Sequence, residues 1–328
     1  MPVRPRNLVA VTGATGFIGS ALCRELLGAD YEVRALVRPG SAHKPLPAGV
    51  EPIHGELNDA PSLTRFLDRA AAVIHCAGAV RGASRGAFMQ TNVAPVDALV
   101  QAAKRSGTSR FILISSLAAS QPALSPYAAS KRAGEAALLA AADELECLIV
   151  RPPAVYGPGD REMLPLFRLM RGGFAPVLTS PGARFSLIYI ADLVHAIISG
   201  LTCPAAHHAE PVFELDDGHP DGYALDELIE EFEKTGTARV RRIPVPAGVL
   251  DFAAAANLRL ARMFGYAPMF TPWKLRELRH PRWVCDNAAF SALSGWRPAT
   301  GFSRGLALTL GENSGANESP AEDTDELS

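Results

Sequence analysis

The chain predicts a doubly wound α/β fold, a parallel sheet of about seven strands with helices on both faces and a smaller lobe interleaved late in the sequence. Three observations predict it. Short apolar runs alternate with helical patterns: Leu8 to Val11, Glu32 to Val37, Val50 to His54, Ala72 to Cys76 and Arg110 to Ile114 read as strands. The first run feeds a glycine-rich turn that opens a helix. A chain of 328 residues, 48% of them hydrophobic, can also bury a core of that size.

Taken in order, the first strand leads into Gly13, Ala14, Thr15 and Gly16, and Phe17 begins a helix covering Ile18 to Leu27. The small side chains let backbone approach a phosphate, and the helix N-terminus supplies N–H groups and the positive end of the macrodipole. The spacing is three and three, Gly13, Gly16 and Gly19. A tight strand-to-helix turn needs glycine for steric reasons alone, so the triplet by itself leaves a purely structural role open. The second strand ends in Arg38-Pro39-Gly40, with no acidic residue at the position that would face an adenosine ribose. That favours NADP over NAD, because an arginine suits a 2′-phosphate and an acid suits a 2′-hydroxyl. The fourth strand closes in Ala77-Gly78, small enough to pass close to a cofactor, though a buried strand also ends well in these residues.

Asn92 is expected to open a helix running to Ser106. The fifth strand leads into Ser115-Ser116, and after a connection of ten residues comes Tyr127, within Ser125-Pro126-Tyr127-Ala128-Ala129-Ser130-Lys131. Serine at the N-cap and proline at the first position start a helix, which places Tyr127 and Lys131 at i and i+4 on one face. An ammonium beside a phenol lowers its pKa from about 10 towards the range of a working acid or base. The Ser116 hydroxyl is placed to hold the same substrate oxygen.

Together these residues make the chain resemble the extended short-chain dehydrogenase/reductase superfamily, its epimerase/dehydratase branch, from Leu8 to Gly311. The resemblance rests on Thr12-Gly13-Ala14-Thr15-Gly16-Phe17-Ile18-Gly19, Val73-Ile74-His75-Cys76-Ala77-Gly78, Asn92, Ser115-Ser116, Tyr127-x-x-x-Lys131, Arg151-Pro152-Pro153 and Val155-Tyr156-Gly157-Pro158-Gly159. It implies a Rossmann domain over 1–156 and about 185–216, and a substrate lobe over about 157–184 and 217–311. It also implies that Tyr127 passes a proton to or from the substrate oxygen, that Lys131 binds the nicotinamide ribose, and that Ser116 orients the substrate. Asn92 takes a mainly architectural part. Glu56 stands where relatives commonly carry an aspartate against the adenine, which leaves that contact to the Leu57 backbone, and Pro153 to Val155 lie against the carboxamide. Relatives also dimerise through the Asn92 and Tyr127 helices, so the resemblance allows a homodimer.

Further along, Met163 to Arg171 reads as a helix, and Phe185 to Tyr189 as a strand leading into a helix to Leu201 that carries a structural Asp192. Val212 to Leu215 is a strand, Leu225 to Thr235 a helix, Arg239 to Ile243 a strand, and Asn287 to Leu293 a helix. From Val249, the positions Val249, Phe252, Ala256, Leu260 and Phe264 share one helical face, with Asp251 and Arg262 opposite. Such a face ordinarily packs on its own domain; contact with lipid is the alternative if the substrate is a sterol. Leu258 falls on the otherwise polar side.

Substrate class is read mostly by exclusion. Dehydratases of the family carry a carboxylate pair that Ser115-Ser116-Leu117 lacks, and Leu117 to Pro126 holds no charge where sugar-nucleotide epimerases carry an acid. The pattern is closer to hydroxysteroid dehydrogenases and dihydroflavonol reductases, which act on bulky apolar alcohols and ketones. Arg239, Arg241, Arg242, Arg276 and Arg279 keep a sugar nucleotide as the alternative, since a diphosphate needs arginines. A non-catalytic dinucleotide sensor or assembly subunit is a third reading, at odds with the retained Ser116, Tyr127 and Lys131. The net charge of −2 points away from nucleic acid, and no apolar run is long enough for a membrane span. Five scattered cysteines and no signal-like N-terminus suit a cytoplasmic, reduced protein. The histidines, including the adjacent His207 and His208, show no metal spacing. Glu312 to Ser328, with six acids and no base, reads as a disordered tail.

Overall fold

A computed structural model of the chain describes residues 7–203, 211–234 and 239–315. The chain runs β1 (Leu8–Thr12), α1 (Phe17–Gly28), β2 (Glu32–Val37), β3 (Glu51–His54), α2 (Ala60–Leu67), β4 (Ala72–His75), α3 (Arg85–Asn92), α4 (Ala94–Ser106), β5 (Arg110–Ile114), α5 (Pro126–Leu139) and β6 (Glu146–Arg151). There follow β7 (Ala154–Tyr156), α6 (Leu164–Arg171), β8 (Phe174–Val177), β9 (Arg184–Phe185), β10 (Leu187–Tyr189), α7 (Ile190–Thr202), β11 (Val212–Glu214), β12 (Tyr223–Ala224) and α8 (Leu225–Lys234). Then come β13 (Arg241–Pro244), α9 (Ala247–Phe264), α10 (Pro272–Leu278), β14 (Arg282–Trp283), α11 (Ala288–Ser294) and α12 (Phe302–Gly315).

A 7-stranded parallel sheet has the order β11-β6-β5-β4-β1-β2-β3. Its central strands read as unbroken apolar runs because both faces are covered. Alternate residues feed two cores: Val9, Val11, Ile112 and Ile114 pack with α1 and α7, while Leu8, Ala10, Phe111 and Leu113 pack with α2, α4 and α5. The first core continues into an aromatic group of Tyr156, Phe167, Phe232 and Phe302, which joins β7, α6, α8 and α12. Winding reverses between β1 and β4, the point in such a sheet where loops part to admit a ligand.

Several local expectations are corrected. Asn92 does not open a helix; it ends α3, which Ser84 caps by accepting from the Ala87 N–H at 3.1 Å. Pro95 has no N–H to continue that ladder, so the chain turns at Val93 and restarts as α4. Met163 flanks α6 rather than opening it. Phe185 to Tyr189 is two strands, because β9 pairs with β12 and β14 while β10 pairs with β7, and the Ser186 N–H between them bonds Trp283 O. β13 begins at Arg241, since Val240 is buried and its N–H donates to Glu233. Residues Glu312 to Gly315 continue α12 as helix. The rest of the expected tail, His207 and His208, and the expected end of α8 at Thr235 lie outside the described residues.

The largest correction concerns α9. Its packed stripe is Ala254, Leu258 and Ala261, while Val249, Phe252, Leu260 and Phe264 face outwards. Small alanines let the helix lie close to its neighbours, and polar side chains tie it down. Asn257 donates to Phe270 O at 2.7 Å, and Asp251 accepts from Arg279 at 2.8 Å.

Candidate functional site

The residues singled out from the sequence gather at one end of the sheet. Gly13 to Gly19 follow β1, Arg38 follows β2, Glu56 and Leu57 follow β3, Ala77 and Gly78 follow β4, Ser116 follows β5, and Pro153 and Val155 follow β6. In a parallel sheet these are all carboxyl ends, so the loops lie side by side. At the switch point the loops after β1 and β4 touch. A Cβ on Gly13 would stand 2.7 Å from the Ala77 nitrogen, and the φ of +72° there already requires glycine. A Cβ on Gly19 would overlap the Gly13 carbonyl, so the first turn of α1 can sit against the loop only without a side chain. Gly16 leaves that helix without a side-chain cap, and its first N–H groups open onto the turn.

His75, which from the sequence is only a buried strand end, braces this junction. Its Nδ1 shares a 2.7 Å hydrogen bond with the Thr12 hydroxyl, which also accepts from the Ala77 N–H at 3.3 Å. Burial, reinforced by the Lys131 ammonium, holds its pKa down at about 3 and keeps the ring neutral. Asn92 ties the next loop to α5. Its Oδ1 accepts from the Ala79 N–H at 2.7 Å, and its Nδ2 donates to Ala79 O and to Ser130 Oγ at 3.1 and 2.9 Å. Arg38 stands exposed beyond β2 and Glu56 stands exposed beyond β3, both at the ligand end of the sheet.

Tyr127 and Lys131 lie on α5 as the spacing predicts, with Ser125 capping the helix through the Ala128 N–H at 2.9 Å. The Tyr127 hydroxyl is hydrogen-bonded to Ser116. The expected lowering of its pKa is not what this site produces. Burial pushes the phenol up to about 12, the Ser116 hydrogen bond offsets part of that, and Glu277 adds to it. The Lys131 ammonium, one turn on, donates its Nζ to Ile114 O at 2.7 Å. Burial in turn draws Lys131 down to about 8, against the opposing pull of Glu135 and Cys76.

Two buried carboxylates have no counterpart among the residues expected from the sequence. Glu135, one turn beyond Lys131, receives Arg151 Nε and Nη2 at 2.8 and 2.6 Å and the Ser115 hydroxyl at 2.5 Å. It therefore braces the serine pair against α5 and β6. The i, i+4 relation to Lys131 was the available signal. Glu277 on α10 accepts from the Ser125 hydroxyl and from Lys274 Nζ, the latter at 2.9 Å. No local pattern announces it, since it is 152 residues from its partner serine. Beside it a small cleft holds Tyr127 among Val80, Phe88, Pro268, Met269 and Trp273. Phe88 packs edge-on against Tyr127, with ring centroids 6.0 Å apart.

A glycine cradle at the switch point, an uncapped helix start and a Ser-Tyr-Lys group are features that suit a dinucleotide and a carbonyl brought together. Residues 9–215 match the model of the NAD dependent epimerase/dehydratase family. The chain belongs to that family. As a member it is an NAD(P)-dependent oxidoreductase. It is 37% identical over 297 residues to the ceramide reductase of Caulobacter vibrioides (strain NA1000 / CB15N), an alignment covering 88% of this chain and 89% of the relative. It is 29% identical to the 2-alkyl-3-oxoalkanoate reductase of Stenotrophomonas maltophilia (strain K279a), covering 91% and 97% of the two chains. Among solved structures, MoeE5 in complex with UDP-glucose and NAD superposes with a TM-score of 0.72 at 23% identity, covering 94% of this chain and 99% of that one, which speaks for the fold.

Proposed function

We propose that this family member reduces a ketone on a bulky, mostly apolar substrate, or oxidises the matching secondary alcohol, with Tyr127 as the general acid or base. A long-chain lipid ketone fits this class best. The observation that carries the reading is the Tyr127 hydroxyl, bonded to Ser116 and set in a cleft that Val80, Phe88, Met269 and Trp273 line beside the Lys274 and Glu277 pair. The two reductases named above carry lipid-like or alkyl-chain substrates in their names, which supports the same class.

In this scheme NAD(P)H supplies the hydride that reduces the carbonyl carbon. Ser116 and Tyr127 hold the carbonyl oxygen, and the Tyr127 hydroxyl gives its proton to that oxygen as negative charge develops there. General acid transfer of this kind contributes on the order of 10²–10⁴-fold to the rate. A phenol held high by burial stays protonated, which suits the reductive direction. Lys131 holds the ribose and keeps an ammonium close to the reacting oxygen. Gly13, Thr15, Gly16, Phe17, Ile18 and Gly19 would hold the pyrophosphate, Arg38 a 2′-phosphate in keeping with NADP, Glu56 and Leu57 the adenine, Ala77 and Gly78 the body of the cofactor, and Pro153 and Val155 the carboxamide. Residues 1–156 and about 185–216 form the dinucleotide part in this reading, and about 157–184 and 217–311 the substrate part.

A sugar nucleotide fits less well. Arg279 is engaged with Asp251 and Arg242 with Asp226, while Arg241 and Arg276 are exposed away from the lining of the Tyr127 cleft. The test is a fluorescence titration with NADPH and NADH, followed by turnover on lipid-ketone, steroid, flavonoid and nucleotide-sugar panels beside Tyr127→Phe. Tight NADPH binding in both proteins, with lipid-ketone turnover only in the unsubstituted one, is the expected result. Turnover confined to nucleotide sugars, or undiminished in Tyr127→Phe, overturns the proposal.

A further inference from the structure

The outward face of α9 has no partner among the described residues. Phe252, Met263 and Phe264 are 76%, 75% and 73% exposed, and Val249 and Leu260 join them at 58% and 47%. At roughly 100° per residue these side chains fall within one arc about 120° wide. The opposite stripe, Ala254, Leu258 and Ala261, is buried, so the helix is held with its bulkiest apolar groups in solvent. An exposed cluster of this kind marks an interaction surface.

We propose that α9 docks on an anionic lipid bilayer, lying in the headgroup region with its axis parallel to the surface. Charge and position argue for this occupant. Arg259 flanks the apolar arc beside Phe252, and Arg241 precedes the helix on β13; both are exposed, and neither pairs with a carboxylate among the described residues. Asp251, the acidic side chain of α9 itself, is neutralised by Arg279 at 2.8 Å. An apolar face flanked by arginine is the pattern of an interfacial helix. Among the described residues no helix is long and apolar enough to cross a membrane, which leaves the surface-lying arrangement.

The C-terminal end of the docked helix adjoins the Tyr127 cleft. Arg262 Nε donates to Ala83 O at 3.3 Å, and the Gly82 N–H donates to Pro268 O at 3.3 Å, so the C-terminal end of α9 is tied to the segments that carry Val80, Gly82 and Pro268 of the cleft. Resting on the lipid-ketone reading above, the bilayer is then also the store from which substrate enters. The docking itself does not depend on that reading.

The experiment is co-sedimentation of the full chain with vesicles that contain no ketone. Vesicles of equal phosphatidylglycerol and phosphatidylcholine are compared with phosphatidylcholine alone, at low and high salt. Binding to the anionic vesicles that weakens with salt is expected, with a loss of about tenfold or more in Phe252→Ser/Met263→Ser/Phe264→Ser and a smaller loss in Arg259→Glu. NADPH binding read on the same variants shows that they are folded. No sedimentation of the unsubstituted chain, equal sedimentation of the folded triple variant, or indifference to lipid charge overturns the proposal. So does a dimer of the unsubstituted chain that the triple variant abolishes and vesicles do not dissociate, which assigns the face to a second copy. Because the vesicles hold no substrate, a failure here leaves the lipid-ketone reading untouched, and a failure of turnover leaves the docking result standing.

Discussion

Removing the Glu135 carboxylate is expected to cost the fold about 3 kcal/mol, the lower end of the range for breaking a buried ion pair from one side. Its side chain is 1% exposed and that of Arg151 10%, so little solvent is present to screen either charge. In Glu135→Ala the guanidinium loses two charge-assisted hydrogen bonds, at 2.8 and 2.6 Å, and Ser115 loses its acceptor. Glu214, 3.7 Å from Arg151 Nη1, takes up part of the charge, which is why the lower end is chosen. Thermal unfolding should fall by about 6–12 °C at 2–4 °C per kcal/mol. Replacing both partners, as in Glu135→Leu/Arg151→Met, should cost well under the sum of the single changes, because no unpaired charge then remains. Urea unfolding followed by circular dichroism of the unsubstituted chain, Glu135→Leu, Arg151→Met and the double variant measures all four corners of the cycle, with Glu135→Ala beside them. A cost for Glu135→Ala below about 1 kcal/mol, or additive single changes, refutes the argument that the pair is a coupled, desolvated unit.

Two further outcomes follow from the site. Lys131 has a folded pKa of about 8 against 10.5 for the free side chain, so the unfolded state binds more protons between those values and stability from this group rises with pH across that window. Lys131→Met should lack that rise, and stability profiles for the two proteins that stay parallel from about pH 7 to 11 would count against the burial of this ammonium. Arg38→Ala should weaken NADPH binding about 10- to 100-fold, the value of hydrogen bonds to a charged group, and leave NADH within about twofold. Equal losses for both cofactors in a fluorescence titration would remove Arg38 from the 2′-phosphate.

The amino-acid sequence alone determined the alternating strands, the glycine turn, and the Tyr127 and Lys131 helix. These are local matters: buried parallel strands must be apolar throughout, a turn at φ of +72° needs glycine, and Ser125-Pro126 starts a helix whatever surrounds it. Tertiary structure decided the rest. Asn92 ends a helix that Ser84 caps, and its role lies in bonds to Ala79 and Ser130 that no periodicity encodes. Glu277 reaches Ser125 from far along the chain, and Glu135 acquires meaning only when β6 brings Arg151 beside it. The Tyr127 pKa turned on burial outweighing the Ser116 hydrogen bond, and burial is a property of the packed molecule. The same holds for α9: the apolar period was visible, but which side meets the fold depended on close packing at Ala254 and Ala261 and on polar anchors at Asn257 and Asp251. A helical pattern states that a face is apolar; only the neighbours state whether it is covered.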